Sequence, residues 1–376
     1  MLALRLSHYL SSGYLSIIRG IYRSLDTIMN RSVVEELNST LAKRIMVLDG
    51  AMGTSIQQYP LEEADFRKGH FEDHASPLKG NNDLLSITRP EIIEEIHDSY
   101  FAIGADFAST NAFSGTTIAQ ADYGLEDAVY KINYESAQCA RRSADKWTQK
   151  TPEQPRYVVG CLGPTNRTAS MSPDVNDPGM RLVTFDELVK AYYDAANALM
   201  DGGTDIIMIE TVFDTLNAKA ALFAVLKMKQ ERDLDTPVMV SGTITDASGR
   251  TLSGQTPEAF WVSLMHGNLT SIGLNCALGA DDMLPHIKAL DKNATCMISA
   301  HPNAGLPNEF GEYDQSPGEM AEQVRPFLSE GHVNIIGGCC GTTPEHIREL
   351  KKLADEYTPR AIPNSALKSA SQSGAK

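Results

Sequence analysis

No apolar run in this 376-residue sequence approaches the ~20 residues of a membrane-spanning helix, so no membrane partner is expected. Cysteine is scarce. Six in a chain of this length do not make a secreted disulfide scaffold, and a reducing, cytoplasmic setting suits them as free thiols. Positive charge is short as well: 33 Lys and Arg against 48 Asp and Glu give a net charge of −15. That is the opposite of the basic face that binding nucleic acid requires. A GxGxxG dinucleotide fingerprint is missing, and so is paired CxxC spacing. What remains has the composition of a soluble globular protein, 42% apolar and 22% charged, long enough for one large α/β domain or two ordinary ones.

Both ends differ from the body. Residues 1–28 carry Arg5, Arg19 and Arg23 with no acidic residue before Asp26. The segment reads as an extension from an upstream start or as a targeting-like leader. Residues 364–376 are rich in Ser, Ala and Lys without periodicity and read as a disordered tail. Residues 29–363 form the body.

Within the body one unit recurs. Short apolar runs at 45–48, 106–108, 157–160, 206–209, 238–241, 271–274, 296–299 and 333–336 alternate with helical patterns at 90–103, 126–147, 185–200, 215–231, 257–266, 281–290 and 317–328. A helix over 33–43 precedes them and one from Pro344 follows. Eight such rounds predict a single-domain α/β fold, a (β/α)8 TIM barrel. The strand runs are apolar throughout, as parallel strands buried on both faces should be. A doubly wound open sheet is the runner-up. Polar residues gather where the strands end, which is where barrel enzymes build their sites.

The most unusual of these ends is Gly337-Gly338-Cys339-Cys340-Gly341. Adjacent Cα atoms lie ~3.8 Å apart, short of the ~4.4–6.8 Å a disulfide needs. A thiolate pair aimed at a metal is the better reading, and glycines let backbone come close to a ligand. Gly273-Leu274-Asn275-Cys276 at another strand end offers a third thiolate. Three cysteines suit zinc and leave one position open, as a catalytic site requires. A closed four-cysteine site with Cys161 or Cys296 is the alternative. Those two and Cys139 otherwise read as core thiols.

The strand-end motifs resemble the homocysteine S-methyltransferase family, and within it the N-terminal, homocysteine-binding module of cobalamin-dependent methionine synthase. They are Asp49-Gly50-Ala51-Met52-Gly53-Thr54, Leu162-Gly163-Pro164-Thr165-Asn166-Arg167-Thr168, Ile209-Glu210-Thr211-Val212-Phe213-Asp214-Thr215-Leu216-Asn217, Ser241-Gly242-Thr243-Ile244-Thr245-Asp246, Ala300-His301-Pro302-Asn303-Ala304-Gly305 and the two cysteine motifs. The resemblance runs from about residue 43 to 363. It implies Cys276, Cys339 and Cys340 as zinc ligands, homocysteine as substrate, and methylcobalamin as methyl donor. The modules that bind folate and cobalamin are expected on a separate chain or to be missing from this one. One departure is Ser109-Thr110-Asn111-Ala112-Phe113, where the family commonly has Glu-Thr-Asn-Thr-Phe; a carboxylate contact to the substrate pocket is therefore in question.

The expected chemistry is activation of the homocysteine thiol by the metal's charge. The turn Gly50, Ala51, Met52, Gly53 and Thr54 would offer backbone N–H groups to the substrate carboxylate. Glu210 is the expected ammonium partner, with Asp49 second. Asn275 would orient the metal loop or the substrate. Asn111 and Thr243 are rim residues, for substrate contact or loop capping. His301 reads as a loop-fixing residue, since three cysteines already suffice for the metal. Charges in the loop after the third strand, Arg167 and 174–177, read as solvated or as contacts for the donor module. Two other functions compete: a free-standing methyltransferase using S-methylmethionine or a similar onium donor, and a homocysteine- and zinc-binding protein without turnover.

Overall fold

Each short apolar run becomes a strand buried on both faces, and its alternate residues meet two different environments. The computed structural model describes residues 33–246 and 248–363; the expected extension and tail lie outside them. The strands are β1 (Met46–Val47), β2 (Phe107–Ser109), β3 (Tyr157–Leu162), β4 (Ile206–Val212), β5 (Val238–Gly242), β6 (Ser271–Asn275), β7 (Met297–His301) and β8 (Ile335–Ile336). All pair in parallel, in the order β1-β8-β7-β6-β5-β4-β3-β2. A bridge between Leu48 and Phe107, with Asp106 N donating to Val47 O at 2.8 Å, closes the seam between β1 and β2. The expected (β/α)8 barrel is what forms.

Each strand is followed by a helix: α1 (Pro90–Ala102), α2 (Val129–Lys150), α3 (Phe185–Asp201), α4 (Thr215–Arg232), α5 (Pro257–Leu264), α6 (Ala280–Asp291), α7 (Pro317–Ser329) and α8 (Pro344–Ala354). Starts are marked by caps where the sequence supplies them. Thr184 and Ser316 each form a capping box with a glutamate three residues on. Several boundaries differ from expectation, the largest shifts being three residues. α2 begins at Val129 after a 3-10 turn, Glu126–Ala128. β4 runs on to Val212, three residues past the apolar run, because its edges stay paired beyond Ile209.

Val47, Val158, Ile207, Val240, Ile298 and Ile336 pack outward under the helices. Met46, Val159, Met208, Met239, Met297 and Ile335 fill the interior, and Leu37 and Leu41 of the helix over 33–41 join them. Continuing by twos along the inward face, β4 delivers Glu210, β6 Asn275 and β7 His301 to the C-terminal rim. Ser271, Gly273 and Asn275 lie beside Met297, Ser299 and His301. The interior is tight here. A Cβ on Gly273 would sit 2.1 Å from Ser299 O, backbone that cannot swing aside. Gly273→Ala should therefore destabilise the fold by about 3 kcal/mol, read as a lowered denaturant midpoint. Gly53→Ala, with nothing within 4 Å of the new carbon, should change stability by less than about 1 kcal/mol.

Candidate active site

Two strand ends converge to form the centre of the site. Beyond β6 the chain turns sharply: Cys276 has φ 62° and Ala277 φ 60°, left-handed values that cost non-glycine residues ~1–2 kcal/mol each. Cys276 N donates to His301 O at 3.1 Å and Leu278 N to Cys276 O at 2.7 Å, which holds the turn. Beyond β8, a Cβ on Gly337 would lie 2.8 Å from Leu48 Cβ, and one on Gly338 2.4 Å from Thr342 Oγ1. Only glycine lets the backbone pass so close to β1. Cys339 N then donates to Pro302 O at 2.9 Å and Cys340 N to Asn303 Oδ1 at 3.1 Å. The three sulfurs end within 4.8 Å of one another, Cys276 and Cys340 at 3.6 Å.

That spacing fits a single tetrahedral ion, since Zn–S bonds of ~2.3 Å put ligand sulfurs about 3.8 Å apart. The electrostatics fit too. Hydrogen bonds from Cys276 and then Cys339 hold the Cys340 thiol far below its ordinary range, while those with Cys276 and Cys340 push Cys339 up. Alone, the cluster accommodates one negative charge; three thiolates need a cation. Cys161 and Cys296 do not join the group. The alternative of a closed four-cysteine site is therefore not built, and a fourth position is left to a ligand from outside.

The cluster opens on a cavity of about 840 Å3 at the C-terminal rim. Among its lining residues are four carboxylates, of which Glu312 is exposed, and no Lys or Arg. Glu210 sits where the register between β4 and β5 shifts, between Ile209 and Val212, an irregularity of the kind that re-aims side chains. The following residue, Thr211, has φ 54°, and its N–H donates to Asn275 Oδ1 at 3.0 Å. Ser241 Oγ donates to the same oxygen at 2.6 Å. The Asn275 amide then donates to Thr211 Oγ1 at 2.8 Å and to Cys339 Sγ at 3.8 Å. One side chain thus ties the carboxylate strand to the thiol cluster.

Asp49 accepts from Ser109 N and Ser109 Oγ, both at 2.8 Å, so both its oxygens are engaged. The departure Ser109 is thus a donor to Asp49, where a glutamate would set a second carboxylate against it. Asp83, which the sequence reading missed, lines the same cavity and accepts from Ser114 N at 2.7 Å. It lies in a short turn with no periodicity to betray it; its polar setting, Asn81-Asn82-Asp83, in a strand-to-helix connection was the available signal. Burial pushes Asp49, Asp83 and Glu210 up to about 7, and the charge of Glu210 adds to the first two.

Gly50, Ala51, Met52, Gly53 and Thr54 also line the cavity, at the uncapped start of the short helix Met52–Ile56. Ala51 N donates to Thr342 Oγ1 and Gly341 N to Thr54 Oγ1, joining this turn to the Cys-Cys turn. Asn111 reaches the cavity wall, but its amide donates to Asn82 O and Ser86 Oγ, a loop-holding role. Thr243 is buried and does not line the cavity. His301 does line it, 2% exposed, with Nε2 unpartnered, so it fixes no loop through that atom; burial pushes its imidazole down to about 4. Tyr313 was also missed. It borders the cavity beside Cys340, and burial, then the Cys340 charge, push its phenol up to about 12.

Comparison with known proteins agrees with this fold. Three forms of the E. coli homocysteine methyltransferase MmuM share the fold. The metallated form has 21% identity and a TM-score of 0.64, covering 82% of this chain and 96% of that one. The oxidised form has 20% identity and a TM-score of 0.63, covering 82% and 95%, and the apo form 20% and 0.61, covering 83% and 96%. The sequence itself matches the homocysteine S-methyltransferase family over residues 46–354. That stretch holds every strand of the barrel, all three clustered cysteines and every carboxylate that lines the cavity, and the chain belongs to the homocysteine S-methyltransferase family and is a methyltransferase.

Proposed function

We propose that this chain methylates the sulfur of homocysteine at a zinc site formed by Cys276, Cys339 and Cys340, with the methyl group drawn from methylcobalamin carried by another protein module. The observation that carries the reading is the convergence of three thiols beside a cavity rich in carboxylates. Zinc, when bound, supplies the positive charge that favours the thiolate form of the substrate. The chain's own groups do the rest. Glu210 accepts the substrate ammonium in a cavity without competing cations. The free N–H groups at the start of Met52–Ile56 take the carboxylate. Asn275 fixes the distance between Glu210's strand and the sulfur cluster.

A protein-borne donor is supported by the rim itself. In the connections that surround the mouth, Val175 is 95% exposed, Phe310 80% and Leu306 59%, with Met180, Leu182 and Phe113 also open. Apolar groups gathered round a mouth mark an interaction surface. A second reading has its own support: a cavity with four carboxylates and no lining Lys or Arg also suits a small onium donor such as S-methylmethionine. Methionine formed from homocysteine with free methylcobalamin, compared with S-methylmethionine, by zinc-quantified protein separates the two. Product from neither donor would leave a binding protein without turnover.

Two outcomes follow for single variants. Cys276→Ala, Cys339→Ala and Cys340→Ala should each lose zinc and methionine formation together; full zinc content in Cys339→Ala would overturn the ligand assignment. Ionised Glu210 is needed for the ammonium, and burial raises its carboxyl to about 7. The KM for homocysteine should therefore fall as pH rises through about 7. Glu210→Gln should flatten that dependence and raise KM about 30-fold, the equivalent of ~2 kcal/mol from one lost charged hydrogen bond.

A further inference from the structure

An ammonium group carries three N–H donors, and in the proposed function Glu210 meets that of homocysteine alone. The cavity holds a second carboxylate with an open oxygen. Asp83 is 5% exposed and lines the wall. Its Oδ2 accepts from Ser114 N at 2.7 Å. No hydrogen bond among the described residues reaches Oδ1, and no Lys, Arg or His pairs with the carboxylate. A charge buried in this way needs a partner.

A network of buried amides holds Asp83 in place. The residue lies in the 3-10 turn Asn82–Leu84, which is lashed to the connection after β2. Asn81 Nδ2 donates to Gln120 Oε1 at 2.8 Å, and Gln120 Nε2 donates to Ser114 O at 3.1 Å. Asn111 Nδ2 donates to Asn82 O at 2.7 Å. Asn81, Asn111 and Gln120 are all buried, and a satisfied buried network of this kind fixes geometry.

The same connection reaches the strand of Glu210. The Phe113–Ser114 peptide turns its N–H to Asp83 and its carbonyl to Gly163, where a Cβ would lie 2.1 Å from Phe113 O. Gly163 follows Leu162, which pairs with Ile209, the residue before Glu210. One peptide unit and one step between neighbouring strands, about 4.8 Å, therefore separate the supports of the two carboxylates. Both line the cavity, and the charge of Glu210 adds to burial in raising Asp83.

We propose that Asp83 is a second acceptor for the substrate ammonium, acting with Glu210, and that the pair selects thiols that carry this cation. The inference rests on the proposed function, in which homocysteine occupies this cavity. Two buried carboxylates repel when both are ionised, and a cation shared by them removes that cost. Asp49 cannot substitute, because Ser109 engages both its oxygens. A thiol without the ammonium leaves the pair uncompensated and is rejected on that ground.

The test reads binding, with no methyl donor present. Zinc-loaded wild type, Asp83→Asn and Glu210→Gln are titrated by calorimetry with homocysteine and with 4-mercaptobutanoate, which keeps the thiol and carboxylate and lacks the ammonium. Asp83→Asn keeps an acceptor for Ser114 N. It should weaken homocysteine binding about tenfold, as the loss of one charged hydrogen bond does, with 4-mercaptobutanoate unchanged. Unchanged homocysteine affinity in Asp83→Asn, with loss confined to Glu210→Gln, would overturn the inference and leave the proposed function. An equal loss of both ligands would also overturn it, marking a distorted wall rather than a missing charge. Asp83→Ser, smaller and still able to accept from Ser114 N, should show the same split and serves if the first variant does not fold. Wild type that prefers homocysteine, loses that preference in Asp83→Asn and yet makes no methionine would defeat the proposed function and leave this inference standing. Wild type that binds homocysteine no better than 4-mercaptobutanoate would overturn the inference together with the ammonium role of Glu210.

Discussion

Three thiols held within 4.8 Å cannot all be ionised in the absence of a cation, and much of the upper half of the barrel is shaped by keeping them there. The cost appears in the backbone. Two successive residues sit in the left-handed region at 276 and 277, and two glycines pass so close to neighbours that no side chain fits. Such strain persists only where the surroundings over-determine it. Here they do so through N–H donation to the carbonyls of His301 and Pro302 and to the Asn303 side chain, so three strand ends hold what two of them contribute.

The carboxylates obey the complementary rule. Burial without a counter-ion raises Asp49, Asp83 and Glu210, because it disfavours the charged form of each. Their roles are unequal. Asp49 spends both oxygens on Ser109 and serves the seam between β1 and β2, whereas Glu210 is the carboxylate that the β4 irregularity turns inward. The same irregularity is buttressed by Asn275, which also touches Cys339. The carboxylate cavity and the thiol cluster are therefore one mechanical unit.

The barrel was legible in the sequence because eight apolar runs of similar length leave few alternatives, and burial on both faces removes the alternation that would mark an exposed sheet. The cysteines were legible because a pair between glycines at a strand end has little structural purpose. Glu210 and Asn275 were legible from their places at strand ends, the latter beside Cys276. Asp83 and Tyr313 were not legible, since they lie in connections without periodicity and reach the site through tertiary contacts alone. Thr243 and Asn111 were read as rim residues from strand-end position; position does not reveal that one turns away from the cavity and the other is spent on Asn82 and Ser86. His301 leaves Nε2 without a partner while its backbone carbonyl holds the Cys276 turn: a side chain's partner is a property of the neighbours, not of the motif.

The turn that carries Gly50 to Thr54 is bolted to the far end of the chain, Thr54 Oγ1 accepting from Gly341 N across 287 residues of sequence, just as β1 waits for β8. On a ribosome adding ~5–20 residues per second, the first strand is made roughly 15–60 s before its partner exists. Throughout that interval the nascent chain has neither a closed barrel nor a complete set of sulfurs. Closure of the barrel and assembly of the three-thiol cluster are thus a single late event. A chain that stalls before its last strand carries only Cys276 of the three.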